Sequence, residues 1–157
     1  MAEVLGAVSG VVGIAAATIQ SASILVKFFN NIKDAPDTIH QISSQLQSLK
    51  VVLDQIEQRF APQDTKSAQP PENKLTKDAL RECNAIVNSF TKDLKPLMEG
   101  MEDPKRTKIS WARLRTAFSD QKIQSSLSRL QFSNTTLTLA LMVDVIGFVV
   151  KRLSFQS

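Results

Sequence analysis

The sequence predicts an all-α fold, an antiparallel helical bundle of four long helices with one short bracing helix. Apolar residues recur at alternating steps of three and four along four long stretches. No strand is expected. The stretches are separated by segments carrying Pro, Gly, Asp and Asn, the residues that break helices. At 157 residues with 43% apolar content, the chain suits a single domain, 1–157, with a substantial core.

The first helix is expected from about Ala2 to Phe29. Between Val4 and Val26 there is no charged residue. As a helix those residues would extend roughly 34 Å, against a bilayer hydrocarbon core of about 30 Å. Ten strongly apolar side chains, among them Val4, Leu5, Val8, Val11, Val12, Ile14 and Ile19, favour insertion by roughly 3–6 kcal/mol together. Ser9, Thr18, Gln20, Ser21, Ser23 and three glycines oppose it, so insertion is marginal and conditional. The charge before the segment is Glu3, whereas a signal peptide begins with a basic region and a mitochondrial leader with arginines. The same residues carry a bundle seam: Leu5, Val8, Val12, Ala15, Ile19, Ala22, Val26 and Phe29. Two readings stay open: a buried helix of a soluble bundle, and a helix that packs at rest and enters a membrane when released.

The second helix is expected to begin near Pro36, a residue suited to a first turn, with Asp34 and Asp37 placed where the helix dipole favours negative charge. Its seam is Ile39, Ile42, Leu46, Leu49, Leu53, Ile56 and Phe60, and Pro62 ends it. Residues 61–73, with Pro70 and Pro71 adjacent, are expected as a mobile loop. The third helix has the seam Leu80, Cys83, Val87, Phe90, Leu94 and Leu97. Pro96 is expected to kink its last turn or end it early, and Gly100 and Pro104 mark the following turn.

A short helix over about Ile109–Phe118 puts Trp111, Leu114 and Phe118 on one face. The last helix is expected from Asp120 to Leu153 with the seam Ile123, Leu127, Leu130, Asn134, Leu137, Leu141, Val145 and Phe148. Asn134 on that seam would fix register at some cost in stability. Asp144, inside the apolar run Leu137–Val150, is expected at the seam's edge reaching solvent; the alternative is a polar group lining an assembled channel.

The net charge of +4 is unevenly placed. Residues 1–60 carry four Lys/Arg and five Asp/Glu, the remainder fifteen and ten. Lys105, Arg106, Lys108, Arg113 and Arg115 form the densest basic cluster, which would suit anionic lipid, nucleic acid or an acidic partner, or else a solvated helix face. Nucleic acid is not expected: no recognised motif accompanies the cluster, and Trp111 belongs to an apolar face.

Catalytic and metal chemistry find little support. The chain has one histidine, His40, and one cysteine, Cys83, so no intrachain disulfide can form, in keeping with a reducing compartment. Cys83 lies on an apolar seam, where cysteine acts as a small hydrophobe, and no His/Cys cluster has ligand spacing. No metal, cofactor or enzymatic activity is expected. Gly6, Gly10 and Gly13 lack the Gly-Lys-Ser/Thr of a phosphate loop. Gly6-x₃-Gly10 and Gly13-x₃-Ala17 read instead as small residues that let helices approach closely.

The order of elements resembles the fungal HeLo-like N-terminal domains. The resemblance is carried by the small, apolar helix over Ala2–Phe29, by Asp34-Ala35-Pro36, by Leu46-Gln-Ser-Leu49-Lys-Val-Val-Leu53 and by Leu80-Arg-Glu-Cys83. It continues in Trp111-Ala-Arg113 and in Leu127-Ser-Arg-Leu130 followed by Leu137-Thr-Leu139-Ala-Leu141. It implies a membrane-targeting, pore-forming or membrane-disrupting effector of fungal regulated cell death, activated by oligomerisation. It further implies a cytoplasmic resting state, recruitment to the plasma membrane, contact with anionic lipid, self-association, and a C-terminal sensor or nucleotide-binding module. Insertion would then fall to Val4–Val26, helix–helix approach to Gly6, Gly10 and Gly13, and lipid contact to the basic cluster. The alternative is a non-enzymatic oligomerisation or signalling adaptor that never enters membrane.

Overall fold

The computed structural model describes residues 10–61, 74–100 and 109–156. Among these residues are five helices: α1, Val11–Asn30; α2, Asp37–Phe60; α3, Lys74–Gly100; α4, Trp111–Ala117; and α5, Asp120–Gln156. The all-α class and the division into four long helices and one short one agree with the sequence. The loop expected over 61–73 lies outside the described residues apart from Ala61.

Hydrogen bonds and ring contacts fix the helix directions. Ser43 Oγ donates to Asn30 Oδ1 at 2.7 Å, tying the start of α2 to the end of α1, so the two run antiparallel. Along α5, Gln124 meets Thr38, Asn134 meets Gln45 and Asp144 meets Arg59. The rising order on both sides makes α5 parallel to α2. The Phe90 ring of α3 packs against Phe118, with centres 5.6 Å apart, and edge-to-face against Phe29, with centres 5.7 Å apart, near the end of the bundle where α1 finishes and α5 begins. The long helices therefore alternate in direction, as in an up-down-up-down bundle.

Local chemistry explains most boundaries. Pro36 is the residue preceding α2, in extended conformation, and Asp37 supplies the first-turn negative charge. Asp34 does not serve that helix end; it stands before it with φ of 60°, a left-handed turn that Asp tolerates better than most side chains. Ser110 caps α4 by accepting from the Arg113 N–H at 3.3 Å, and Ser119 does the same for α5 from the Lys122 N–H at 3.3 Å.

Three expectations need correction. Two short strands are present, β1 (Ile32–Lys33) and β2 (Ile109–Ser110), paired in parallel with Ile32 opposite Ile109. Two residues are too few to show alternation, so nothing in the sequence announces them. Of the two outcomes expected at Pro96, the early end does not occur, since α3 continues to Gly100. Its ring is exposed, and its missing N–H removes only one of the last-turn bonds. Finally, the buried stripe of α1 keeps Ala15, Ala22 and Phe29 of the expected seam but takes Val11, Thr18 and Leu25 in place of Val12, Ile19 and Val26. Val11, Ile14, Ala15, Thr18, Ala22, Leu25, Phe28 and Phe29 are buried, while Val12, Ile19 and Val26 pack at its flank.

The core follows the predicted stripes closely in α2 and α3. Ile39, Ile42, Leu46, Leu49, Leu53 and Ile56 of α2 are inaccessible, as are Leu80, Cys83, Val87 and Leu94 of α3. In α5 the seam holds only halfway. Ile123, Leu127, Leu130 and Leu137 are buried and Leu141 is half-buried, but Val145 and Phe148 are exposed. Among the described residues the bundle ends before the helix does: α2 stops at Phe60, beside Asp144, and α5 runs on for twelve residues to Gln156, roughly 18 Å.

Candidate functional site

Of the residues expected to insert into membrane, Val4, Leu5 and Val8 lie outside the described residues, as does Gly6. The other four are on α1. Val11 and Ile14 are buried, and Val12 and Ile19 are half-buried against the core. Gly10 precedes the helix, its carbonyl accepting from the Ile14 N–H at 2.9 Å, and Gly13 is half-buried.

The α1 segment has two distinct sides. One is the buried stripe; the other carries Ala16, Gln20, Ile24 and Lys27, all exposed. Val11–Asn30 is long and apolar enough to cross a membrane, a property shared by core helices of soluble bundles. Its buried hydroxyl is satisfied within the helix: Thr18 Oγ1 donates to the Ile14 carbonyl at 2.7 Å. Ser23 Oγ does the same to the Ile19 carbonyl at 2.8 Å. The hydrogen bonds of these two hydroxyls would travel with the helix if it moved.

The structure describes only two members of the basic cluster, since Lys105, Arg106 and Lys108 lie outside the described residues. Arg113 is exposed on α4. Arg115 is also exposed, but it already bonds Asp120 at 3.0 Å and lies 6.0 Å from the Trp111 ring centre. An ion pair this open to water is worth about 0–1 kcal/mol, so an anionic ligand could displace Asp120 at little cost.

His40 is exposed on α2, and Cys83 is buried on α3. Burial pushes the Cys83 thiol up from 9.0 to about 11, partly offset by a side-chain hydrogen bond with Ser133. At neutral pH it is a neutral thiol, unsuited to act as a nucleophile.

Asp144 does not reach freely into solvent. It is largely buried and paired with Arg59 of α2, which also contacts the Asp144 carbonyl. The Arg59 guanidinium sits 5.3 Å from the Phe148 ring centre and 6.0 Å from that of Phe60, so one side chain joins α2 to α5 by charge and by aromatic contact. Asn134, expected on the seam, is half-buried, and its amide donates to Gln45 Oε1 at 3.2 Å.

The surface that the sequence reading missed is on the outer side of α5. Phe132, Leu139, Met142, Ile146, Val149 and Leu153 are each about half exposed or more. Their spacing is itself a three-four alternation, interrupted only where Thr135 takes the place of an apolar residue. The signal was present in the sequence but merged with the bundle-facing stripe into one continuous apolar run.

A family model described as "Pigment biosynthesis cluster protein PigL N-terminal" matches residues 2–146. The chain belongs to that family. The match covers α1 through the greater part of α5, and it bears out the coarser expectation of a fungal N-terminal helical domain. Residues 147–157, which include the outermost turns of α5, lie beyond the matched part of this PigL N-terminal domain. No curated protein and no solved structure matches the chain.

Proposed function

We propose that this PigL N-terminal domain is a HeLo-like, membrane-engaging effector of regulated cell death. In this reading it is cytoplasmic at rest and reaches the plasma membrane after oligomerisation, with α1 as the element that changes solvent. The observation that carries the reading is the construction of α1. The helix is uncharged from Val11 to Val26, buries its apolar stripe at rest, and keeps the hydroxyl bonds of Thr18 and Ser23 inside itself. A segment entering lipid must bring its polar groups already satisfied, and a segment held in reserve must be packed until released. Anionic lipid is the proposed target of the basic cluster. The name of the family speaks of a pigment biosynthesis cluster; with Cys83 buried and His40 exposed on another helix, we read this chain's part as non-enzymatic.

The test uses the exposed side of α1. Ala16→Glu places a charge where the resting fold tolerates it, yet costs about 2.5–3.5 kcal/mol in a membrane-inserted helix. Dye leakage from anionic liposomes is expected for the parent chain and lost in Ala16→Glu, with the circular dichroism spectrum unchanged. Absence of leakage by the parent, or leakage indifferent to the charge, overturns the reading. A second reading, an adaptor that associates without entering lipid, is favoured by the apolar outer side of α5.

A further inference from the structure

The geometry points to the outer side of α5, from Phe132 to Leu153, as a self-association seam whose occupant is the same seam on a second copy of this chain. α5 carries two apolar stripes on opposite sides. Ile123, Leu130, Leu137 and the ion-paired Asp144 recur every seven residues and face the bundle. Half a turn away run Phe132, Leu139, Met142, Ile146, Val149 and Leu153, at the three-four alternation of a coiled-coil core. The polar member of this outer stripe, Thr135, donates its hydroxyl to the Gln131 carbonyl at 3.0 Å, so covering it leaves no donor unmet.

Area argues that the stripe is covered. With Val143, Val145 and Val150 beside it, nine large apolar side chains are between 39% and 65% exposed. They present roughly 800 Å² of apolar surface, above the about 300–600 Å² of the largest patch on an ordinary monomer and close to the about 800 Å² each partner contributes to a standard interface.

The flanks argue for a second copy. A partner chosen by charge is selected through charged residues beside the core positions, and here those places are held mainly by Thr136, Thr138, Val143, Val145 and Val150. The surface that best matches an uncharged, apolar-flanked stripe is another such stripe. A lipid surface fits less well: an interfacial helix is bordered by Lys and Arg along its length, whereas none stands between Phe132 and Val150. The run Leu137–Val150 would span only about 21 Å as a helix, short of the about 30 Å hydrocarbon core.

This inference deepens the association step of the proposed function and rests on it only there. Ala16→Glu does not touch the seam, so leakage and dimerisation can fail separately. Sedimentation velocity on the 157-residue chain is expected to show a concentration-dependent dimer. Ile146→Glu and Met142→Lys change exposed side chains and leave the fold intact by circular dichroism. Each is expected to weaken dimerisation at least about 100-fold, whereas Val51→Glu, at an exposed apolar residue of α2, leaves it unchanged. A monomer at all concentrations, or a dimer surviving both seam variants, overturns the inference. So does a monomer that floats with phosphatidylcholine–phosphatidylserine vesicles and loses flotation in Ile146→Glu, which would assign the stripe to lipid.

Discussion

At the scale of single residues, Cys83 and Asp34 show how position sets chemistry. Cys83 is inaccessible beneath α5, and its thiol titrates near 11 instead of 9.0. Between those values the unfolded chain has lost the proton and the folded chain has kept it. Stability from this group is therefore fully present below pH 9 and falls as pH rises through 11, by about 2–3 kcal/mol in total. Urea melts at pH 8, 9.5 and 11 are expected to show that decline, and Cys83→Ala to remove this part of it. The native thiol is also expected to resist a disulfide reagent at pH 8 and react only on unfolding. Asp34 holds a left-handed conformation at the start of the turn into α2. Asp34→Gly is expected to be neutral or mildly stabilising. Asp34→Val is expected to cost about 1–2 kcal/mol, because a β-branched side chain suffers most there. Equal melting temperatures for the two variants would contradict that reading.

At the scale of elements, the legibility of each helix depends on how sharply its polar and apolar sides differ. α2 and α3 separate them cleanly, and their buried residues are those their spacing predicts. Half of the residues of α1 are Ala, Val, Gly or Ser, so neighbouring stripes differ little and the buried one takes Val11, Thr18 and Leu25 in place of Val12, Ile19 and Val26. α5 has apolar residues on opposite sides, so a single seam traced through it passes from the buried stripe into exposed Val145 and Phe148. The link between Arg59 and Asp144 spans 85 positions, beyond any local pattern, and the two-residue strands are too short to leave one. Pro96 was legible as a misfit, but the continuation of the helix through it to Gly100 was not. Packing of Leu94 and Leu97 holds the last turn of α3 together, overriding a local penalty of up to about 3 kcal/mol. Pro96→Ala is expected to raise the unfolding free energy by about 1–3 kcal/mol, since the ring is exposed and its removal opens no cavity. A stability at or below that of the parent would mean that the proline fits this turn without strain.

At the scale of the whole molecule, the bundle and the end of α5 are expected to differ in stability, with Arg59 at the boundary. Up to Ala140 the helix is held by buried side chains; beyond Asp144 its large apolar residues are exposed. A helix end with few tertiary contacts is stable only locally. The Arg59 guanidinium, gripping Asp144 and lying near Phe148, is therefore the last described tether before the helix leaves α2. Arg59→Met keeps much of the aliphatic packing but leaves the largely buried Asp144 carboxylate unpaired, a loss of roughly 1–3 kcal/mol. The loss should fall unevenly. In the monomeric Ile146→Glu background, amide hydrogen exchange is expected to show strong protection through about Ala140 and weaker protection from 145 onward. Arg59→Met should then lower protection of 145–153 sharply while changing α2 and α3 by no more than the global loss. In the parent dimer the pairing of two outer stripes should protect 145–153 even when Arg59 is replaced, because the covering then comes from the second copy. Uniform loss along all helices would make Arg59 a general stabiliser of the bundle, and unchanged protection of 145–153 in the monomer would show that the end of α5 is held by something other than this tether.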